Sequence, residues 1–178
     1  MNEKSGIYLR PITVEDTNDI VKWRNSEAVR KYFIYQEDFT EEGHMNWLET
    51  KVNTGEAVQF MIVERGTDRA IGSVFLRDID RKNKKAEYGI FIGDDSKMGL
   101  GIGTQTARLM IEYAFGQEKL HRLYLRVFAD NDRAISSYKK AGFVVEGLLK
   151  DDVFVRNQYR DIVWMAVTNP KECGREVE

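Results

Sequence analysis

The chain is poor in the residues that punctuate and cross-link: its 178 residues include one cysteine, two prolines and two histidines. A lone Cys173 excludes an intrachain disulfide, and its place after Asn169-Pro170-Lys171 reads as a chain end rather than a nucleophile site. Histidine, cysteine and aspartate nowhere gather with ligand spacing, so no metal is expected. His44 is expected on the solvent side of a polar helix and His121 in a turn, and neither is assigned a role. No apolar run approaches the ~20 residues of a membrane span, and the N-terminal residues are polar, without an apolar signal region. A cytoplasmic setting without a membrane partner follows as the expectation. Charge of neither sign dominates: 27 Lys and Arg stand against 29 Asp and Glu, a formal net of −2. That balance gives no support to a nucleic-acid partner. The densest basic stretch, Arg81-Lys82-Asn83-Lys84-Lys85, reads as a solvated hairpin turn. Repeats, low-complexity tracts and linkers are absent, so residues 1–178 are expected to form one domain.

The rest of the chain alternates between two periods. Ile7 to Arg10 reads as a strand ended by Pro11. Thr13 then caps a helix with Asp16 in its first turn and Ile20 and Trp23 on one face. A second helix is expected from near Thr40, with Met45, Leu48 and Val52 at helical spacing. Val58 to Glu64, Ala70 to Asp78 and Lys84 to Gly93 read as strands joined by short turns, hence antiparallel hairpins. After Gly93 the period changes. Ala107, Met110, Ile111 and Ala114 predict a helix from about Gly101 to Gly116. Arg122 to Phe128 is strand-like, Asn131 to Ala141 is helical and stops at Gly142, and Phe143 to Val155 pairs with Asp161 to Thr168. The expected fold is α/β: a mixed, mostly antiparallel central sheet of about seven strands with a βαβ crossover and flanking helices.

Between strand and helix lies Lys97-Met98-Gly99-Leu100-Gly101-Ile102-Gly103-Thr104. Three alternate glycines allow a sharp turn and close approach of a ligand to the backbone. The following helical turn offers unpaired N–H groups at the positive end of its dipole, an anion site suited to a pyrophosphate. The loop is not a Walker A sequence, because no Gly-Lys precedes a Ser or Thr. It is not a dinucleotide fingerprint either: Thr104 or Thr106 stands where its last glycine belongs, and the preceding strand belongs to a meander. A plain turn is the alternative reading.

Downstream runs Asn131-Asp132-Arg133-Ala134-Ile135-Ser136-Ser137-Tyr138-Lys139-Lys140-Ala141-Gly142-Phe143. Together with Met98-Gly99-Leu100-Gly101-Ile102-Gly103, this run resembles the GNAT superfamily of N-acetyltransferases across nearly the whole chain, the opening Leu9-Arg10-Pro11 included. Met98 departs from the Gln or Arg usual in that family, and Lys97 beside it offers a cation. The tail from Gly147 through Asn157-Gln158-Tyr159-Arg160-Asp161 is similar to the branch of ribosomal-protein and polyamine acetyltransferases. Trp23-Arg24-Asn25 with Val29-Arg30 is similar to amino-sugar nucleotide acetyltransferases of that branch. The resemblance implies transfer of an acetyl group from acetyl-CoA to a primary amine of a small molecule or peptide; the alternatives are the same chemistry on a protein N-terminus, polyamine or amino-sugar nucleotide, and a non-catalytic acyl-CoA-binding sensor that keeps the fold. It also implies a sheet that splays between Ala86–Gly93 and Arg122–Phe128, with an amide near Phe91 or Ile92 donating to the thioester carbonyl. Cofactor contacts are implied at Met98, Gly99, Leu100, Gly101, Ile102, Gly103, Thr104, Asn131, Ala134, Ser137 and Tyr138. A homodimer paired through the last strands is a further implication.

Chemistry sharpens these expectations. A primary amine with a pKa near 10 is mostly protonated at neutral pH, so a proton must leave before attack. Tyr138 matches the family's general acid, and a phenol of pKa about 10 suits donation to a departing thiolate; packing on the sheet is its plainer reading. Glu87 is the first choice of base, because an ionised group inside an apolar strand needs a reason. An edge-facing carboxylate paired with a lysine is equally compatible, and a water chain can replace a base. Asn131 serves as helix N-cap, as pantetheine ligand, or as both. For the acceptor, Trp23, Arg24, Asn25, Glu27, Tyr32 and Phe33 form a candidate slot, and Asp161 a candidate holder of a cationic amine. Core packing and surface ion pairs are the alternatives for these.

Overall fold

The computed structural model describes residues 6–170, so Cys173 lies outside the described residues. Seven strands form one sheet: β1 (Ile7–Pro11), β2 (Val58–Glu64), β3 (Arg69–Asp80), β4 (Lys85–Ile92), β5 (Arg122–Phe128), β6 (Val144–Val155) and β7 (Gln158–Thr168). Their spatial order is β1-β2-β3-β4-β5-β7-β6. Every neighbouring pair is antiparallel except β4 and β5, which the crossover helix α4 (Ile102–Gly116) joins in parallel. The remaining helices are α1 (Thr17–Asn25), α2 (Glu27–Arg30), α3 (Glu41–Trp47) and α5 (Asp132–Ala141). No helix among the described residues is long and apolar enough to cross a membrane.

Strand alternation sorts side chains onto two faces. Even-numbered residues of β4, from Ala86 to Ile92, pack with Ala107 and Met110 of α4 and Ile135 and Tyr138 of α5. Odd-numbered Phe91 lies on the other face with Met61 and Val63, under Ile20, Trp23 and Val29 of the first two helices. Phe128, Val155 and Ile162 form a third, smaller apolar cluster.

Several boundaries differ from the sequence reading, each for a local reason. The buried residues here are His44 of α3 and Leu48 directly after it, four residues apart, while Met45 is half exposed. His44 is therefore not on the solvent side; its Nδ1 lies 3.0 Å from Thr17 Oγ1. The helix then widens over Leu48–Val52, so Val52 does not continue the face expected of it. Strand β7 begins at Gln158, earlier than Asp161, because Arg156 and Asn157 take φ of 54° and 61° and close a tight hairpin. An Arg-Asn pair lacks the usual Asn-Gly or Asp-Gly signature of such turns.

Candidate active site

The parallel pair is where the sheet fails. β4 and β5 are in register only at Lys85–Arg122, Ala86–Leu123 and Glu87–Tyr124. Beyond Glu87, β4 stays paired with β3 as far as Ile92, and β5 with β7 as far as Phe128. The two halves of the sheet therefore part, and a wedge opens between them. Which backbone groups face the wedge follows from alternation. Gly93 donates its N–H to Ile71 O (2.8 Å), so in this ladder the odd residues of β4 bond to β3. Lys84 O accepts from Arg122 N (3.0 Å), which confirms that even residues face β5. Of the two amides expected near the wedge, that of Ile92 points into it, and that of Phe91 is turned towards β3.

At the mouth of the wedge sits the glycine loop. Gly99 and Gly101 take φ of 82° and 80°, a left-handed backbone that L side chains rarely adopt, and a Cβ at either would meet nothing within 4 Å. The backbone is bare there. Gly101 is the N-cap of α4 and offers no side chain to the first-turn amides of Ile102, Gly103 and Thr104. Those N–H groups have no intrahelical acceptor, and the helix dipole adds partial positive charge. Gly103 is small for another reason: a Cβ would stand 3.1 Å from Ser137 Oγ. This lets α4 and α5 approach closely, with Thr104 Oγ1 2.9 Å from Ser137 Oγ.

Helix α5 aims its own contribution at the same space. Asn131 Oδ1 accepts from the Ala134 N–H at 3.2 Å, and Gly142 ends the helix at φ 111°. One turn before that end, Tyr138 packs edge-on against Tyr88 and Phe143, with ring centroids 6.0 Å away in each case. Burial pushes its phenol up to about 12, above the value expected from sequence, so it holds its proton throughout the physiological range. The Tyr88 hydroxyl is buried without a hydrogen-bond partner, and burial with nearby Tyr138 raises it well above the ordinary phenol value.

A cavity of about 350 Å³ runs through the wedge from one face of the sheet to the other. Of the residues singled out in the sequence, it brings together Tyr32, Glu87, Phe91, Ile92, Met98, Gly99, Gly101, Ile102, Gly103, Thr104, Asn131, Ala134, Ser137 and Tyr138. Leu100 is 67% exposed and does not line it. Lys97 lines it, but its ammonium already pairs with Glu64 Oε1 at 2.5 Å.

Glu87 is neither edge-facing nor paired with a lysine. It is 6% exposed and held by two arginines: Arg77 Nε donates to Oε2 (3.0 Å) and Arg126 Nε to Oε1 (3.1 Å). Burial disfavours its charge, yet the two guanidiniums outweigh it and hold the carboxyl below the ordinary range. A carboxylate so stabilised is ionised but a poor proton acceptor.

Five of the seven acceptor candidates, Trp23, Arg24, Asn25, Glu27 and Asp161, do not line the cavity. The Trp23 ring lies against Gly93, where a Cβ would come within 2.1 Å of it, and stands edge-on to Phe91. Arg24 stacks on Phe33, 3.5 Å from the ring centroid, beneath the cavity wall. Asn25 clasps the backbone of Phe39, donating to its O (2.7 Å) and accepting from its N (2.8 Å). Asp161 accepts from the Asp151 N–H (2.9 Å) in the last hairpin. Among the acceptor-wall candidates, Phe33 does line the cavity, whereas Glu27 is tied to Arg156 at 2.6 Å. Sequence reasoning missed Arg77, Arg126, Tyr35 and Phe75, all in the lining. The signal that drew attention to Glu87, a charge inside an apolar strand, was equally present at Arg77 and Arg126.

Comparison with known proteins follows this geometry. The family model described as "Acetyltransferase (GNAT) domain" matches residues 7–144. Spermidine N(1)-acetyltransferase of Escherichia coli K12 is 30% identical over 167 residues, 94% of this chain and 88% of that protein. Ribosomal-protein-serine acetyltransferase of the same organism is 32% identical over 108 residues, 61% of this chain and 59% of that protein. The crystal structure of Vibrio cholerae spermidine N-acetyltransferase with CoA and spermine superposes with a TM-score of 0.85 at 23% identity, covering 91% of this chain and 95% of that one.

Proposed function

The chain belongs to the acetyltransferase (GNAT) family and is an acetyl-CoA-dependent N-acetyltransferase acting on a primary amine, and from that premise we propose how its residues divide the work. The observation that carries the reading is the parting of β4 from β5 directly beside an uncapped helix N-terminus.

The amides of Gly99 to Thr104, at the bare end of α4, bind the pyrophosphate of acetyl-CoA. Backbone groups of β4 facing the wedge take the pantetheine arm, assisted by Asn131 and by the close-packed Ala134 and Ser137. Bound acetyl-CoA supplies the activated acyl group. The Ile92 N–H, held in place by the β3–β4 ladder, polarises the thioester carbonyl without reorganising. Tyr138, kept protonated by burial, hands its proton to the departing sulfur. Its raised pKa makes it a weak acid, so alignment rather than acid strength carries the transfer. Glu87 is a positioning group: its ionised carboxylate orders Arg77 and Arg126, and the amine proton leaves through water in the cavity. Phe33 and Tyr32 wall the acceptor end.

The acceptor is a small-molecule or peptide amine, the candidates being a polyamine, a protein N-terminus and an amino-sugar nucleotide. A cytoplasmic setting, where acetyl-CoA is at hand, goes with this reading, as does a single domain. Strand β6 at the sheet edge exposes Val144, Val145, Leu148, Leu149 and Phe154, which supports pairing of two copies there. Calorimetry with acetyl-CoA, followed by an acceptor screen reading free thiol, tests the assignment. A folded chain that binds neither acetyl-CoA nor CoA overturns it.

A further inference from the structure

Strand alternation gives the cavity two chemically distinct ends. Its lining contains five cationic side chains, Arg77, Lys97, Arg126, Arg133 and Lys140, and one carboxylate, Glu87. Lys97 and Lys140 belong to the glycine loop and α5, Lys97 already paired with Glu64, and Arg133 at the start of α5 reaches the Tyr32 ring. Arg77 and Arg126 are on the opposite face of the sheet, beside Tyr35 and Phe75. The positive charge at that end is thus separate from the cofactor's phosphates.

That end is short of negative charge. Glu87 is shared between two guanidiniums. Behind the wall, Arg24 adds a third; its Nη1 is buried without a hydrogen-bond partner. Asp78, 4.0 Å from Arg77 Nε, is 69% exposed and does not line the cavity. Asp38 is engaged by Arg30 at 2.8 Å and Glu27 by Arg156 at 2.6 Å.

A protein holds a polycationic amine in two ways, with carboxylates and with aromatic faces. Both are already committed here. Phe33 carries Arg24 at 3.5 Å, and Tyr35 and Phe75 face Arg77 at 5.3 and 6.0 Å. Tyr32 lies between Lys31 at 5.0 Å and Arg133 at 5.6 Å. Arg77, by contrast, makes its hydrogen bond through Nε, and its planar fork keeps terminal donors for a bidentate oxyanion.

We propose that the amine acceptor carries an anionic group, a carboxylate or a phosphate, and that Arg77 and Arg126 receive it at the end of the cavity opposite the glycine loop. The inference rests on the transferase reading of this cavity and narrows its acceptor class. It separates this chain from its similar relatives named for spermidine: a second and third ammonium would be repelled where an oxyanion is attracted.

The test uses the whole chain and matched acceptors, with thiol release as readout. γ-Aminobutyrate is set against its methyl ester, glucosamine 6-phosphate against glucosamine, and spermidine stands alone; the first two pairs separate carboxylate from phosphate recognition. At least one charged member should exceed its neutral partner by about tenfold in kcat/KM and exceed spermidine. Added salt should erode that advantage, because it screens the attraction. Arg77→Gln should raise KM for the favoured acceptor about tenfold and leave KM for acetyl-CoA within about twofold. If that variant does not fold, the salt series on the unaltered chain decides. Equal or better turnover of spermidine or of the neutral members overturns the proposal, as does turnover of none of them by a chain that binds acetyl-CoA. Failure to bind acetyl-CoA removes the transferase reading itself, so the two failures are told apart by calorimetry.

Discussion

The two ends of the cavity are made of different materials. The glycine-loop end is built from main chain: left-handed Gly99 and Gly101, the uncapped start of α4, and the Ile92 amide turned into the wedge. The opposite end is built from side chains: the Arg77–Glu87–Arg126 network and the aromatic rings of Phe33, Tyr35 and Phe75. Backbone donors are the same whatever the surrounding sequence, so the first end can be kept while the second is rewritten. A family that shares one co-substrate and varies its acceptors needs that division.

Substitutions at each end should behave accordingly. The largest effect is expected from Gly101→Glu. It combines a side chain at φ 80° with a negative charge where an anion binds, and acetyl-CoA affinity should fall by about a hundredfold or more in calorimetry. An unchanged affinity would mean the loop is not the anion site. Tyr138→Phe comes next and probes the junction of the two ends. The expected drop in kcat is about a hundredfold. Acetyl-CoA binding should stay within about twofold, because the ring packing on Tyr88 and Phe143 survives. Equal losses in both would reduce Tyr138 to a packing residue.

Glu87→Gln acts on the side-chain end alone and should leave acetyl-CoA binding intact. It strands two partly buried guanidiniums, for a loss of about 2–3 kcal/mol at neutral pH, less than for a fully buried pair. The pH dependence has a definite sign. The folded-state pKa of Glu87 is lowered, so its stabilisation is complete above the ordinary carboxylate range near pH 4.3 and is lost as pH falls through the lowered value. Urea unfolding should therefore separate the variant from the parent chain at pH 7 and bring them together in acid. A difference that persists in acid would make the loss one of shape rather than charge.

The same division explains what the sequence makes legible. Glycine spacing, the Asn131 cap and the Gly142 stop are local signals, because each reports a backbone conformation at its own position. The antiparallel run of β2, β3 and β4 and the parallel crossover follow from hairpin turns and one long helical connection, whereas the place of β7 between β5 and β6 has no such mark. The acceptor end carries no such local mark. Arg77 and Arg126 meet at Glu87 only because β3, β4 and β5 lie side by side, and their separation along the chain hides the triad. Trp23, Arg24 and Asn25 stand together in the sequence as a polar-aromatic cluster, yet helix geometry sends them to Gly93, to Phe33 and to the Phe39 backbone respectively. His44 misleads for a related reason: its neighbours are polar, and the hydroxyl that it meets belongs to Thr17 of another helix.

The half-paired strand β4 also sets two clocks ticking in one stretch of chain. In heavy water, the amides of Gly89 and Phe91, locked to β3, should surrender their protons only through rare openings of the sheet. Those of Ile90 and Ile92, one residue away, face the wedge and should exchange rapidly, then slow when CoA is added. Such a fast–slow comb would make the strand its own reporter of occupancy, with each protected neighbour as the internal standard.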